Sequence, residues 1–142
     1  MKINLYNLTL EKTLQEVERL SKKYCTDLEP LRDLNLKQIF EYVSKKIEYK
    51  KDPEGIELVK RPGITLRQGN GDCDDKTVVV LAYCYLKGIP AGYSIVGSSG
   101  SYHHIFPFIL NSKNEKFDFD ATYNYNVYGQ KTNWLIRKDF KL

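Results

Sequence analysis

No apolar run among the 142 residues approaches the roughly 20 needed to cross a bilayer. The opening MKINLYNLTLEK also lacks the apolar h-region of a secretory signal, so the chain is expected to stay where it is made, in the cytoplasm. Charge of one sign is missing too. The 22 Lys and Arg stand against 18 Asp and Glu, mixed along the chain, and the net +4 predicts a solvated surface with no nucleic-acid footprint and no membrane partner. Cysteines are few and odd in number, Cys25, Cys73 and Cys84, with no Cys-x-x-Cys pair. On one helix, Cys73 and Cys84 would stand roughly 16 Å apart, too far for a disulfide, so reduced thiols are expected. Histidine is scarcer still: His103 and His104 are adjacent and there is no other. With 42% hydrophobic and 28% charged residues the composition excludes a disordered chain, and the length suits one domain over 1–142 that needs no staples.

What chemistry there is gathers at Gly69-Asn70-Gly71-Asp72-Cys73-Asp74-Asp75-Lys76. A Gly-rich turn here meets an apolar, helix-length run, Thr77 to Leu86, which Gly88 and Pro90 stop. Cys73 is therefore expected on the first turn of a buried helix, where unpaired N–H groups and the helix dipole favour a thiolate. Asp72, Asp74 and Asp75 oppose that if they lie close, so a cationic partner is required. Cys84 and Cys25 read as ordinary packing residues.

The rest of the chain divides into a helical part over about 9–48, a core over about 49–123 and C-terminal strands over about 124–142. Leu10, Leu14, Val17, Leu20 and Tyr24 recur at helical spacing, with Thr9 as the N-cap. After a polar link from Thr26 to Asp33, Asn35 and Gln38 form a capping-box pair for a second helix, its buried stripe being Leu36, Ile39, Phe40, Val43 and Ile47. Tyr49 to Asn70 has no sustained period and is broken by Pro53, Gly55, Pro62 and Gly63; it is read as a loop walling a cleft. Lys60, Arg61 and Arg67 are its candidate substrate contacts. Strands follow at Ala91–Val96, His103–Leu110 and Lys116–Thr122, and a further hairpin is expected around Gly129. Helices first and antiparallel strands after is the α+β order.

A three-residue turn centred on Ser112 makes His104 and Asp120 direct cross-strand partners, each eight residues from it, with Cβ atoms about 5 Å apart, whereas a one-residue slip would pair Asp120 with His103 instead. Pro107 cannot donate to a ladder, so an open side or a bulge is expected at that point. A cysteine at a helix start, a histidine able to approach it and a carboxylate to orient the ring form the nucleophile, base and orienter set of covalent acyl transfer.

The order Gly-Asp-Cys-Asp-Asp-Lys, then Leu86-Lys87-Gly88-Ile89-Pro90-Ala91, then His104-Ile105-Phe106, then Phe119-Asp120-Ala121-Thr122 resembles the transglutaminase-like superfamily. It looks closest to small bacterial and bacteriophage-encoded members with a Gly-Asp-Cys-Asp-Asp box; a phage origin would make the compartment the host cytoplasm. The likeness covers roughly 47–123, including Ile47-Glu48-Tyr49 and Asp52-Pro53. It implies a papain-like core with the nucleophile helix packed on an antiparallel sheet, and a catalytic Cys73, His104 and Asp120, the last two placed by Phe106 and Thr122.

The resemblance implies a cysteine hydrolase or protease acting on peptide or related amide bonds without cofactor or metal, its partner a protein or peptide substrate. Hydrolysis is expected over cross-linking, because the chain shows no accessory module to present a second protein. The backbone N–H of Cys73 is the natural first oxyanion donor. Gln68 and Asn70 are candidates for the second, with Arg67 and His103 as further substrate contacts. Three other readings stand beside this one: a transglutaminase or deamidase acting on Gln, a non-catalytic phage-related structural or binding module, and a metal site drawn from Cys73, His103, His104, Asp118 and Asp120. Adjacent strand histidines point to opposite faces, which argues against the last.

Overall fold

The computed structural model describes residues 7–52 and 58–142. Its first helix, α1, spans Asn7–Lys23, so Thr9 lies inside it and not at its cap. Leu14, Val17 and Leu20 of α1 are buried. A 3-10 segment, Cys25–Leu31, takes up most of the expected link. Helix α2, Leu36–Glu41, starts at Asn35, whose side chain accepts from the Gln38 N–H while Gln38 accepts from the Asn35 N–H, both at 2.8 Å. One wide turn, Tyr42–Lys46, continues it. Its stripe is buried as the spacing requires at Ile39, Phe40, Val43 and Ile47, with Leu36 half-buried.

The expected long loop contains a helix, α3, Pro62–Gln68. The break at Pro62 is the start of this helix: at the first helical position its missing N–H costs nothing and its φ is already helical. Gly69 closes α3 at φ 70°, a conformation that favours glycine. Short strands β1, Glu48–Tyr49, and β2, Asn70–Gly71, flank it and pair in parallel, Tyr49 opposite Gly71. The Pro53 and Gly55 breaks fall outside the described residues.

Helix α4, Cys73–Lys87, is the axis of the molecule, with every side chain from Cys73 to Cys84 buried. It is covered by α1, α3 and the 3-10 segment and by the sheet, and its apolar run from Val78 to Cys84 is buried on every side. The sheet orders as β5-β4-β3-β6, all antiparallel, from β3 (Ala91–Ser98), β4 (Ser101–Leu110), β5 (Lys116–Asp118) and β6 (Ile136–Lys141). The fold is α+β, as the element order implies. The hairpin expected around Gly129 is absent: Val127 and Leu135 are exposed, and the tail instead runs to the free side of β3 to pair as β6.

Two details of the sheet bear on the site. First, β4 and β5 pair Phe108 with Asp118, so the turn centres on Lys113 and not Ser112. Asn111 sets this register by accepting from the N–H groups of Lys113 and Glu115 on its side chain, both at 2.9 Å, while Asn114 takes φ 62°. The displacement is even, so every side chain keeps its expected face. The β5 ladder ends where Pro107 faces Phe119: the Pro107 carbonyl accepts from the Phe119 N–H at 2.9 Å, and the ring returns no donor.

Second, β3 and β4 join through Ser99-Gly100, at φ 54° and 82°, a two-residue turn of the type that fits strand twist. A bulge follows between Val96, opposite His104, and Gly97, opposite Tyr102, leaving His103 as the extra residue. The bulge closes on Gly97, where a Cβ would lie 1.7 Å from the Ser101 carbonyl oxygen. That oxygen belongs to a paired backbone and cannot move aside. Gly97→Ala is therefore expected to cost about 3 kcal/mol or more, read as a lowered urea midpoint. Gly100→Ala, which meets no atom within 4 Å and suffers only from its positive φ, is the control and costs about 1 kcal/mol.

Candidate active site

Asp72 begins α4 as its N-cap, its carboxylate accepting from the N–H groups of Asp74 and Asp75 at 3.1 and 3.2 Å. Asp75 reciprocates by accepting from the Asp72 N–H. This box orients the first turn and places Cys73 at its first helical position, where a backbone N–H has no partner within the helix. The cysteine is 2% exposed but lines a cavity of about 370 Å³ together with His103, His104 and Asp120. Burial pushes its thiol well above the usual range, and Asp74, whose Oδ1 is 3.9 Å from Sγ, pushes the same way. The Ile105 backbone N–H favours the thiolate, without outweighing burial. Burial first and the neighbouring carboxylates second thus favour the thiol over the thiolate.

His104 comes from β4 just beyond the bulge and is buried. Its Nε2 lies 2.8 Å from Oδ2 of Asp120. The two are not direct cross-strand partners, since Asp120 lies past the end of β5; the carboxylate reaches the ring from the following turn. Thr122 fixes that turn, its N–H and Oγ1 both donating to Asp120 Oδ1, at 3.1 and 2.5 Å. Burial alone would raise the Asp120 pKa, but the His104 imidazole and the Thr122 donors outweigh it and hold the carboxyl below its ordinary value. An ionised Asp120 at Nε2 keeps the proton there and leaves Nδ1 as the basic nitrogen.

The bulge changes one expectation. His103 and His104 both line the cavity, because the extra residue breaks the strict alternation of the strand. The Trp134 ring packs against both, its centroid 5.6 Å from His103 and 5.8 Å from His104. The remaining wall includes Tyr49, Lys51, Tyr123 and Gln130. Of these only Tyr49 fell within a sequence motif. The tail gave no periodic signal, although eleven tyrosines in a chain of this length, several of them in a polar tail, mark a surface built for contact.

Other candidate residues have structural employment. Arg61 makes a paired contact with Asp27 at 3.0 and 2.8 Å and stacks 3.9 Å from the Tyr24 ring. Lys60 ties Gln68 and the Asn70 carbonyl together at 2.8 and 2.9 Å. Gln68, Asn70 and Arg67 do not line the cavity, so the structure does not bring them to Cys73. Asp118 is held by Arg137 at 2.9 and 2.8 Å and does not line the cavity. Among the described residues, Asp52, Asp72 and Asp75 do bring carboxylate oxygens within 4.8 Å of one another. Asp75 is there tied to Lys60, whose N–H donates to it at 2.9 Å and whose Nζ is 3.9 Å away.

Lys76, the last residue of the Gly-Asp-Cys-Asp-Asp-Lys run, is buried one turn after Cys73. Its Nζ donates to the Thr122 carbonyl at 2.6 Å. Burial lowers its pKa to about 8, against the pull of Asp120. It thus links α4 to the turn that carries the Asp120 carboxylate. A buried Lys beside a cysteine box was the available signal, since a lysine inside an apolar helix needs a partner.

No curated protein matches the chain. A crystal structure of a Cytophaga hutchinsonii protein, proposed there to be a cysteine protease, superposes with a TM-score of 0.53 at 18% identity. The match covers 75% of this chain and 42% of that one, so the chain spans less than half the length of its structural neighbour, and the likeness is one of fold. Among the described residues, no helix is long and apolar enough to cross a membrane. The model of the transglutaminase-like superfamily matches residues 19–136, most of the sequence and all of the cavity's charged groups, and the chain belongs to that superfamily.

Proposed function

We propose that the protein is a cysteine-nucleophile acyl-transfer enzyme acting on peptide or related amide bonds, with Cys73 as nucleophile, His104 as base and Asp120 as the group that fixes the His104 tautomer. One observation carries the reading: Cys73, His104 and Asp120 line one cavity while Asp120 occupies Nε2, which leaves Nδ1 to accept the thiol proton. Because burial holds Cys73 as a thiol, proton transfer to His104 accompanies attack on the carbonyl and does not precede it. His104 then returns the proton to the leaving amine. Hydrolysis is favoured for the second half-reaction, since Lys51, Asn126, Gln130 and Thr132 give the cavity polar groups to which an attacking water can hydrogen-bond. The cysteine protease activity proposed for the Cytophaga protein belongs to the same class of chemistry.

The competing reading is a binding module that keeps the fold, and the 2% exposure of Cys73 favours it. The two separate with p-nitrophenyl acetate, an activated acyl donor small enough for the cavity. The enzyme is expected to release nitrophenolate catalytically with an acetyl group trapped on Cys73 by acid quench and peptide mass mapping, and Cys73→Ala is expected to fall by about 100-fold or more. Acetylation spread equally over Cys25 and Cys73, or a Cys73→Ala protein as fast as the parent, would overturn the proposal.

A further inference from the structure

An acyl-transfer site needs two hydrogen-bond donors for the oxyanion, and Cys73 supplies one through its backbone N–H. Gln68 and Asn70, the nearest amide side chains in sequence, stand outside the cavity. Resting on the acyl-transfer reading above, we propose that the Tyr49 hydroxyl is the second donor to the oxyanion formed when the Cys73 sulfur attacks a carbonyl.

Three observations meet at this residue. Tyr49 is held in β1 opposite Gly71, two residues before the nucleophile, and Lys50 locks the pairing by donating its N–H to the Gly71 carbonyl at 2.9 Å. The phenol therefore rises beside the stretch of backbone that leads into the Cys73 N–H. It lines the cavity with Cys73 and His104, and its ring lies 4.8 Å from that of Tyr123, at an interplanar angle of 48°, which leaves the ring little room to turn. Finally, its phenol lies within electrostatic reach of both the Tyr123 hydroxyl and the Cys73 thiol. Burial comes first among the causes that raise the Tyr49 pKa, with Tyr123 and Cys73 next, so the phenol keeps its proton and remains a donor throughout the working range. Tyr123 comes from the Asp120 side of the cavity and braces Tyr49; it is a positioning residue.

The step balances without any added reactant. The Sγ–C bond forms as the carbonyl π pair moves onto oxygen, the thiol proton passes to His104, and the Tyr49 hydroxyl and the Cys73 N–H donate to that oxygen. When the oxyanion collapses, the bond to the leaving group breaks and the electron pair leaves with it.

The experiment compares two reagents on Cys73. Acetylation by p-nitrophenyl acetate passes through an oxyanion, whereas alkylation by iodoacetamide is a displacement at saturated carbon that forms none. Tyr49→Phe keeps the ring and removes only the hydroxyl. It is expected to slow acetylation about 100-fold, through kcat more than KM, and to leave the alkylation rate within about twofold. Tyr123→Phe is expected to slow acetylation by less than about tenfold. Equal slowing of both reagents by Tyr49→Phe would place the hydroxyl on the thiol and overturn the inference, as would no slowing of either. The larger acetylation loss appearing in Tyr123→Phe would overturn it in favour of that phenol. A parent protein that takes up no acetyl group on Cys73, while iodoacetamide still labels it, sinks the acyl-transfer reading itself, and this inference with it.

Discussion

His104→Ala is expected to lower kcat/KM for an aryl ester by about 10³–10⁴, or roughly 4–5.5 kcal/mol of transition-state stabilisation. The size follows from the state of the nucleophile. A cysteine that rests as a thiolate survives loss of its base in part, but burial and Asp74 hold Cys73 as a thiol, so without a proton acceptor little of the reactive form exists. Asp120→Asn is expected to fall less, by about 10²–10³, because the ring remains and only its tautomer is released. Both variants should keep a cooperative melt. In Asp120→Asn the side-chain oxygen still accepts from the N–H and Oγ1 of Thr122, and the fold around the turn is retained. Stopped-flow acetylation together with thermal melts decides the matter. An Asp120→Asn protein with the parent rate, or a His104→Ala protein within tenfold of it, removes these residues from the chemistry.

The pairing of His104 with Asp120 was legible in sequence because it depends on face more than on exact register. The turn centre lay one residue further on than the composition of the loop suggested, and the strand displacement that results is two residues. An odd displacement would have sent Asp120 to the other side of the sheet; an even one left it within reach of the ring. The capping box at Asn35 and the burial of α4 were legible for a similar reason, since a local pattern is enough to specify each. What escaped was decided by non-local partners. Helix α3 is only seven residues long, too short to show a period, although Pro62 at its start and Gly69 at its end did mark it. Strand β6 forms because β3 has a free side to be covered, and no feature of Ile136–Lys141 says which strand it will meet. The bulge at His103 is set by the Ser99-Gly100 turn together with Gly97, three small residues read as an ordinary loop. It is also what brings both histidines to one cavity.

Asp72→Asn is expected to stabilise the protein at pH 8 and to do almost nothing at pH 4. Asp72 is buried, and burial first, then the neighbouring Asp75 carboxyl, pushes its pKa up from 3.8 to about 7. Asp75 is pushed up in turn, mainly by its own burial, so the pair holds on to protons that the unfolded chain gives up near pH 4. The sign follows. Below pH 4 both states carry the proton and the site is neutral in effect; as pH rises from about 4 to 7 the unfolded chain ionises first and the folded state loses ground; above 7 the full cost is in place. About three pKa units corresponds to roughly 4 kcal/mol as an upper bound. Asparagine caps a helix as well as aspartate and still accepts from the Asp74 and Asp75 N–H groups, while the lost attraction of a carboxylate for the helix dipole returns about 0.3–1 kcal/mol. The net expectation is a gain of about 2–3 kcal/mol at pH 8, seen as a rise in Tm of roughly 5–10 °C that shrinks to nothing as the melt is repeated at pH 4. The same substitution removes one of the charges that oppose Cys73 ionisation, so iodoacetamide labelling of Cys73 at pH 8 should quicken. A variant less stable than the parent at pH 8, or a difference that does not change with pH, would mean that the Asp72 carboxylate is ionised and answered in the folded protein, and that the acidic front of α4 opposes the nucleophile less than its burial implies.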